Sequence, residues 1–152
     1  MSSFFSNYFF IILAILAGMA MPTQATVNGK LAAFTQNPIT AAFISFAVGT
    51  VALFVYMVLT GVPLGNMVNA KDAPLVAWIG GFLGAFFVSV MALIVPRIGV
   101  ALSFGLAISG QMLVTLIIDH FGWLGVPEKP INLWRVLGAV LITAGVILIR
   151  KF

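Results

Sequence analysis

Long apolar stretches alternate with short polar segments along the whole chain. A transmembrane helix needs about 20 mostly apolar residues, and five stretches meet this requirement. The second and third open at Pro38 and Pro74, where proline is tolerated because the first-turn N–H has no helical partner. The pattern therefore predicts an all-α fold in which residues 1–152 form a single five-helix transmembrane domain. The predicted spans are about 4–33, 39–60, 74–95, 98–119 and 133–150.

Composition supports a membrane location and excludes several other classes. The chain is 62% hydrophobic and 7% charged, whereas soluble proteins have about 45–50% apolar and about 25% charged residues. Lipid must therefore be the solvent for most of its surface. The seven Lys and Arg residues are scattered, whereas a nucleic-acid interface needs them clustered on one face. Cysteine is absent, which excludes disulfides and thiol chemistry.

The first apolar stretch runs into MPTQATVNGKL, residues 21–31, and this polar segment has two interpretations. Pro22 ends the helix, as prolines often do, or it kinks a helix that continues, which membrane helices tolerate. In a continuing helix, Gln24 and Asn28 are four residues apart and share a face. They would then offer uncharged donors and acceptors to a solute. The pattern alone favours a helix end at Pro22, with both residues in a loop.

Polar residues also form a stripe on the fourth predicted span. Gln111, Thr115 and Asp119 follow one another at intervals of four, so they lie on one side of the helix. Gln111 falls near the middle of the bilayer, where a polar side chain is costly and needs a partner. Hydrogen bonding between helices, worth about 1 kcal/mol, and contact with a substrate explain this spacing equally well.

Asp119 and His120 end the fourth span, and Arg97 precedes it. Histidine changes charge near neutral pH, and acids beside it occur in proton relays. An interfacial cap facing water is the simpler interpretation of the pair. The chain has one His, no Cys and no assignable pair of nucleophile and base. We therefore expect no enzyme activity, no metal and no cofactor.

The orientation of the chain in the membrane is weakly specified. Five spans place the termini on opposite sides, and the cations divide almost equally between the sides. One side has only one cation more than the other (4 − 3 = 1). Because orientation follows the Lys/Arg bias across short loops, so small an excess sets no firm orientation. The chain therefore inserts in both orientations and pairs as an antiparallel dimer, or inserts once with its C-terminus cytoplasmic. The cations are Lys71, Lys129 and Arg135 on the N-terminal side, and Lys30, Arg97, Arg150 and Lys151 on the other.

Small residues predict where helices pack closely. Gly105 lies at the centre of an Ala-x₃-Gly-x₃-Ser repeat on the fourth span, and Gly80, Gly81 and Gly84 lie on the third. In lipid, helices associate through close backbone approach at such positions. These positions are predicted helix contacts, and the signal is non-specific and says little about function.

Five segments together carry a family pattern: AGMAMPTQATVNGKL, SFAVGT, GGFLGAFFVSV, PRIGVALSFGLAISGQMLVTLIIDHFGWLGVP and LGAVLITAGVILIRKF. They resemble the YdcZ-type family, small five-span bacterial proteins of the drug/metabolite transporter superfamily. The most specific part is GQ-x₇-DHFG-W-x-G-VP. The closing AGVILIRKF is also similar to the last helix of small multidrug resistance proteins.

The resemblance implies half of an inverted-repeat ten-helix transporter in the bacterial inner (cytoplasmic) membrane. The half would be completed by a second copy, in a homodimer that is antiparallel or parallel, or by a paralogous partner. In the family, Q-x₃-N belongs to the first helix, so the resemblance favours a kinked helix that continues beyond Pro22. The implied roles are substrate binding by Gln24, Asn28, Gln111 and Thr115, a proton- or gate-linked pair of Asp119 and His120, and an anion or loop contact at Arg97.

The chain departs from the small multidrug exporters at one point. Those proteins use a membrane-embedded glutamate in the first helix, where a buried carboxylate exchanges protons for cations. The first span here has no carboxylate. Neutral, zwitterionic or anionic metabolites therefore fit the predicted contacts at least as well as cationic drugs.

These observations predict a small-solute transporter that works by alternating access as a dimer. Its partners would be a small-molecule substrate and the lipid bilayer, with no nucleic acid. A non-transporting membrane subunit or scaffold, which binds a partner through its helices, is the alternative. In that case the polar residues would join helices to one another.

Overall fold

The structure is a computed structural model that describes residues 2–151, and the side chains of residues 8–151. The described chain is helical and contains no strand. Five helices are long and apolar enough to cross a membrane, which confirms the predicted all-α membrane fold. They are α1 (Ser2–Thr35), α2 (Pro38–Thr60), α3 (Leu75–Ile98), α4 (Val100–Phe121) and α5 (Leu133–Lys151), with short 3₁₀ segments at Leu64–Asp72 and Trp123–Gly125.

Helix α1 passes through Pro22 without a break. The interpretation that the first helix ends at this proline is therefore wrong, and Gln24 and Asn28 are helical. Membrane helices tolerate an internal proline partly because hydroxyl side chains satisfy nearby backbone groups. Here the Thr23 hydroxyl donates to the Met19 carbonyl (3.1 Å), and the Thr26 hydroxyl donates to the Pro22 carbonyl (2.8 Å).

A tight turn after Thr35, rather than Pro22, ends α1. Gln36 has a positive φ of 55°, in the left-handed region that stops a helix. Asn37 then caps α2, because its Oδ1 accepts hydrogen bonds from the N–H groups of Ile39 (2.8 Å) and Thr40 (3.2 Å). Pro38 occupies the first turn of α2. The turn thus joins two membrane-length helices with very few residues.

The chain divides into two compact units, Met1–Arg97 and Ile98–Phe152. In the first unit, α1 packs on α2. Helix α1 also approaches the end of α3, because a Cβ built on Gly29 would lie 3.2 Å from Pro96 Cγ. The buried apolar residues of this unit are small or flexible: Ala25, Ala41, Ala42, Met91, Ala92 and Val95.

In the second unit, α4 packs on α5. A Cβ built on Gly105 would lie 2.8 Å from Val146 Cγ2, closer than side-chain atoms tolerate. Gly105 is therefore a point of close helix approach, as its small-residue repeat predicts. Gly80 and Gly81 of α3 differ, because nothing lies within 4 Å of a Cβ built on either one.

Most large apolar side chains of the described helices are exposed. Phe82 and Phe43, for example, are 78% and 73% exposed. In water such a surface would be unstable, but hydrocarbon solvates it at no cost. The few polar side chains are consequently the ones whose placement needs an explanation.

Candidate functional site

A small cavity between α1 and α2 contains the main group of polar side chains in the first unit. Its volume is about 200 Å³. The middle of α2 (Pro38–Thr60) is Gly49, and Gln24 lies between five and six residues, or roughly 8 Å, beyond the middle of α1 (Ser2–Thr35). The cavity therefore lies beside the middle of α2, a helix of membrane-spanning length. We call it the midplane cavity, and its lining residues are Gln24, Ser45, Phe46, Gly49, Thr50 and Leu53.

The lining of the midplane cavity is uncharged and able to form hydrogen bonds. Gln24 contributes an amide with both donor and acceptor atoms, and Ser45 contributes a hydroxyl. The Thr50 hydroxyl donates to the Phe46 carbonyl (2.8 Å), which leaves its oxygen available as an acceptor. Nothing lies within 4 Å of a Cβ built on Gly49, so this glycine keeps space open. The cavity can hold a polar group without a counter-charge.

Sequence reasoning identified Gln24 but missed three small neighbours on α2, two of which carry hydroxyl groups. Ser45, Gly49 and Thr50 belong to SFAVGT, an interruption in an otherwise apolar helix. Ser45 and Gly49 are four residues apart and therefore lie on one face. That spacing is the sequence signal that could have indicated the α2 side of the midplane cavity.

Asn28 lies one turn beyond Gln24 on α1 and is almost completely buried. Only 3% of its surface is exposed, and its Nδ2 has no hydrogen-bond partner in the described part of the chain. An unsatisfied buried amide costs about 1–3 kcal/mol, and a native protein retains such a group for a reason. Asn28 is therefore a buried polar group whose placement on α1 needs an explanation.

Gln111 and Thr115 lie on α4 in the second unit, and both are exposed. Gln111 is at the middle of the Val100–Phe121 helix. A glutamine exposed at that depth requires a polar partner.

Asp119 and His120 both bind groups in the loop that connects α4 to α5 or at the start of α5. The Asp119 carboxylate forms an ion pair with the Arg135 guanidinium, and its backbone carbonyl accepts from the Lys129 N–H (2.7 Å). His120 Nδ1 accepts a hydrogen bond from the Ile131 N–H (3.2 Å). We call these contacts the loop clamp, since they tie residues 129–131 to the end of α4.

Arg97 lies in the last turn of α3, at the edge of a second cavity in the first unit. Its Nη1 donates to the Leu93 carbonyl (2.6 Å). This cavity has a volume of about 380 Å³, and we call it the end cavity because the ends of three helices enclose it. Its lining consists of Gly29, Ala32, Ala33, Gln36, Pro38, Ala92, Leu93, Pro96 and Arg97.

Comparison with known proteins identifies one family. The family model described as "Putative inner membrane exporter, YdcZ" matches residues 9–148, which cover all five helices. No significant match was found among curated proteins or among solved structures.

Proposed function

Because the chain belongs to the YdcZ family, we propose that it carries a small polar solute across the bacterial inner membrane by alternating access, as a dimer. It is a multi-pass inner-membrane protein with five apolar helices. The observation that carries the proposal is the uncharged cavity between α1 and the middle of α2, whose lining includes amide and hydroxyl groups.

The depth of the midplane cavity supports a role in transport. Transporters of inverted-repeat architecture bind their substrates near the bilayer midplane, at the interface between the repeats. Gly49 is the middle residue of α2, and Gln24 is roughly 8 Å from the middle of α1. A cavity lined by amide and hydroxyl groups binds its ligand through hydrogen bonds, which suits a neutral or zwitterionic solute. A cation would find no carboxylate among the lining residues.

Asn28 supports a solute route along α1. Its unpartnered Nδ2 is one helical turn from Gln24, and side chains four residues apart lie on one face of a helix. We place the first transfer of the solute between these two amides. The acceptor that Asn28 lacks would be an oxygen of the moving solute.

A dimer would cover polar residues that the single chain leaves exposed on α4. Gln111 and Thr115 are exposed on α4, and exposed polar groups at this depth are unfavourable in hydrocarbon. A second copy in the opposite orientation would cover them and complete the ten helices of an inverted-repeat transporter. The almost equal distribution of cations between the two sides is compatible with insertion in both orientations.

We assign the loop clamp to gating. Alternating access requires α4 and α5 to change position, and the Asp119–Arg135 ion pair connects the end of one helix to the start of the other. The clamp would hold the connecting loop in one state and open in the other. The hydrogen bond from the Ile131 N–H to His120 Nδ1 is a second contact of the clamp, and it would break when the loop moves away from α4.

The test uses flux through purified protein in liposomes. Vesicles are loaded with a small-molecule extract of bacterial cells, and mass spectrometry identifies the compounds that wild-type protein releases faster than empty vesicles do. Gln24→Leu keeps the side-chain size but removes the hydrogen-bonding groups, so it should abolish that release. Thr23→Val is the matched control, because the Thr23 hydroxyl bonds only to its own helix at Met19.

A scaffold function is the second candidate, and Gly80 and Gly81 favour it. Nothing lies within 4 Å of a Cβ built on either glycine, so this small-residue surface of α3 has no helix packed on it. Membrane helices associate at such surfaces. A scaffold moves nothing by itself, so wild-type vesicles that release no compound faster than empty ones would support it over transport.

A further inference from the structure

We propose that the end cavity binds the phosphate of an anionic phospholipid headgroup, with Arg97 as its charged contact. This site differs from the midplane cavity, and the proposal does not depend on transport. It rests on the position of the cavity, its charge and the chemistry of its lining.

The cavity lies at the level of the lipid headgroups. It is enclosed where α1 ends, α2 begins and α3 ends, at Gln36, Pro38 and Pro96. These residues are at the ends of membrane-length helices, where the hydrocarbon meets the polar headgroups. Its volume of about 380 Å³ falls within the range of about 300–1,000 Å³ for small-ligand pockets.

The positive charge of Arg97 is not balanced within the first unit. The only acidic residue of that unit is Asp72, which precedes α3, whereas Arg97 is in the last turn of the same helix. A 24-residue helix separates the two charges by roughly 36 Å. Screening by salt eliminates an interaction over that distance, so Arg97 is available for an external anion.

The geometry of the guanidinium suits a phosphate. The hydrogen bond from Nη1 to the Leu93 carbonyl holds the side chain along α3, and a guanidinium has further N–H donors for phosphate oxygens. Gln36, which also lines the cavity, has a side-chain amide that can donate. The left-handed backbone at Gln36, with φ of 55°, is part of the turn that brings this residue to the cavity wall.

The rest of the lining suits the glycerol and the first acyl carbons of a lipid. It is formed by small or apolar side chains, including Ala32, Ala92 and Leu93. A free anion gains nothing from such a surface, whereas a phospholipid places its apolar part there. Basic pockets between transmembrane helices are known to select anionic headgroups, and this observation favours a lipid over a soluble phosphate.

The experiment measures thermal unfolding of the delipidated protein in neutral detergent, followed by the fluorescence of its three tryptophans. The probes are short-chain phosphatidylglycerol, phosphatidylcholine with the same chains, and glycerol 3-phosphate. A ligand that binds only the folded state raises the unfolding temperature. We expect phosphatidylglycerol to stabilise the wild type at the lowest concentration of the three.

Two arginine variants locate the site. Arg97→Gln should raise the phosphatidylglycerol concentration needed for half the effect by about tenfold or more, because a charge-assisted hydrogen bond is lost. Arg150→Gln is the matched control: it removes the same charge from the last turn of α5 and should leave that concentration unchanged. Native mass spectrometry gives a second readout that does not depend on the stability of each variant, the number of phosphatidylglycerol molecules retained per chain.

Three results would overturn the proposal. Equal responses of Arg97→Gln and Arg150→Gln would mean diffuse attraction to any surface cation. Equal stabilisation by phosphatidylcholine would mean that only the apolar part of the lipid binds. Saturation by glycerol 3-phosphate at the same concentration as phosphatidylglycerol would assign the cavity to a soluble phosphate.

Discussion

The Asp119 carboxylate and the Arg135 guanidinium form an ion pair across sixteen residues of chain, joining the end of α4 to the start of α5. Both side chains are about three-quarters buried. Arg135 also donates to the Lys129 carbonyl, and Lys129 donates its N–H to the Asp119 carbonyl. The pair is therefore the centre of the loop clamp, and its loss should release the loop.

We expect Asp119→Asn and Arg135→Gln each to lower the free energy of unfolding by about 1–2 kcal/mol, because each removes one partner of a partly buried pair. The double variant should cost little more than either single change, since both remove the same interaction. Unfolding in detergent measures these values. Cleavage at Glu128 by a glutamate-specific protease should also become faster. Additive effects with unchanged cleavage would show that the two side chains do not act together.

Asn28 gives a prediction in which stability and transport change in opposite directions. Asn28→Leu replaces an amide whose Nδ2 has no partner with an apolar group of similar size. The variant should be more stable by about 1 kcal/mol, because the cost of burying the unsatisfied donor disappears. Its release of solute from proteoliposomes should fall to the level of empty vesicles. A loss of stability would instead mean that the amide has a partner that holds the fold together.

The orientation of the chain can be measured because it contains no cysteine. Asn66→Cys places a single thiol in the exposed 3₁₀ segment Leu64–Asp72, between α2 and α3. With insertion in both orientations, a membrane-impermeant maleimide should label about half of the protein in intact cells, relative to lysed cells. Complete labelling or none would mean a single orientation, which excludes an antiparallel homodimer.

The apolar pattern predicts the five helices because membrane length and hydropathy determine them almost alone. Pro22 shows the limit of that reasoning. Proline often ends a helix in water, but in lipid a broken backbone is more costly than a kink, so α1 continues. Only the family resemblance corrected the prediction made from the pattern.

The amides of the candidate site could be predicted from the sequence, whereas its hydroxyl groups could not. Gln24 and Asn28 are recognisable because amides are rare in an apolar helix. Ser45 and Thr50 are not, because membrane helices commonly contain single hydroxyls that bond to their own backbone, as Thr50 does with Phe46. The partner of Asp119 was also missed, since no helical periodicity relates it to Arg135 across the α4–α5 loop.

The most direct test of the central claim asks whether water reaches the midplane cavity. Ser45→Cys places the only thiol of the chain in the cavity wall, and Ala47→Cys places it at nearly the same depth on another, exposed face of α2. Thiol reagents react with the thiolate, which forms only where water is present. We predict that a membrane-impermeant methanethiosulfonate modifies Ser45→Cys and not Ala47→Cys in membrane vesicles. Equal reaction of the two thiols, or none at either, would contradict an aqueous solute path through this cavity.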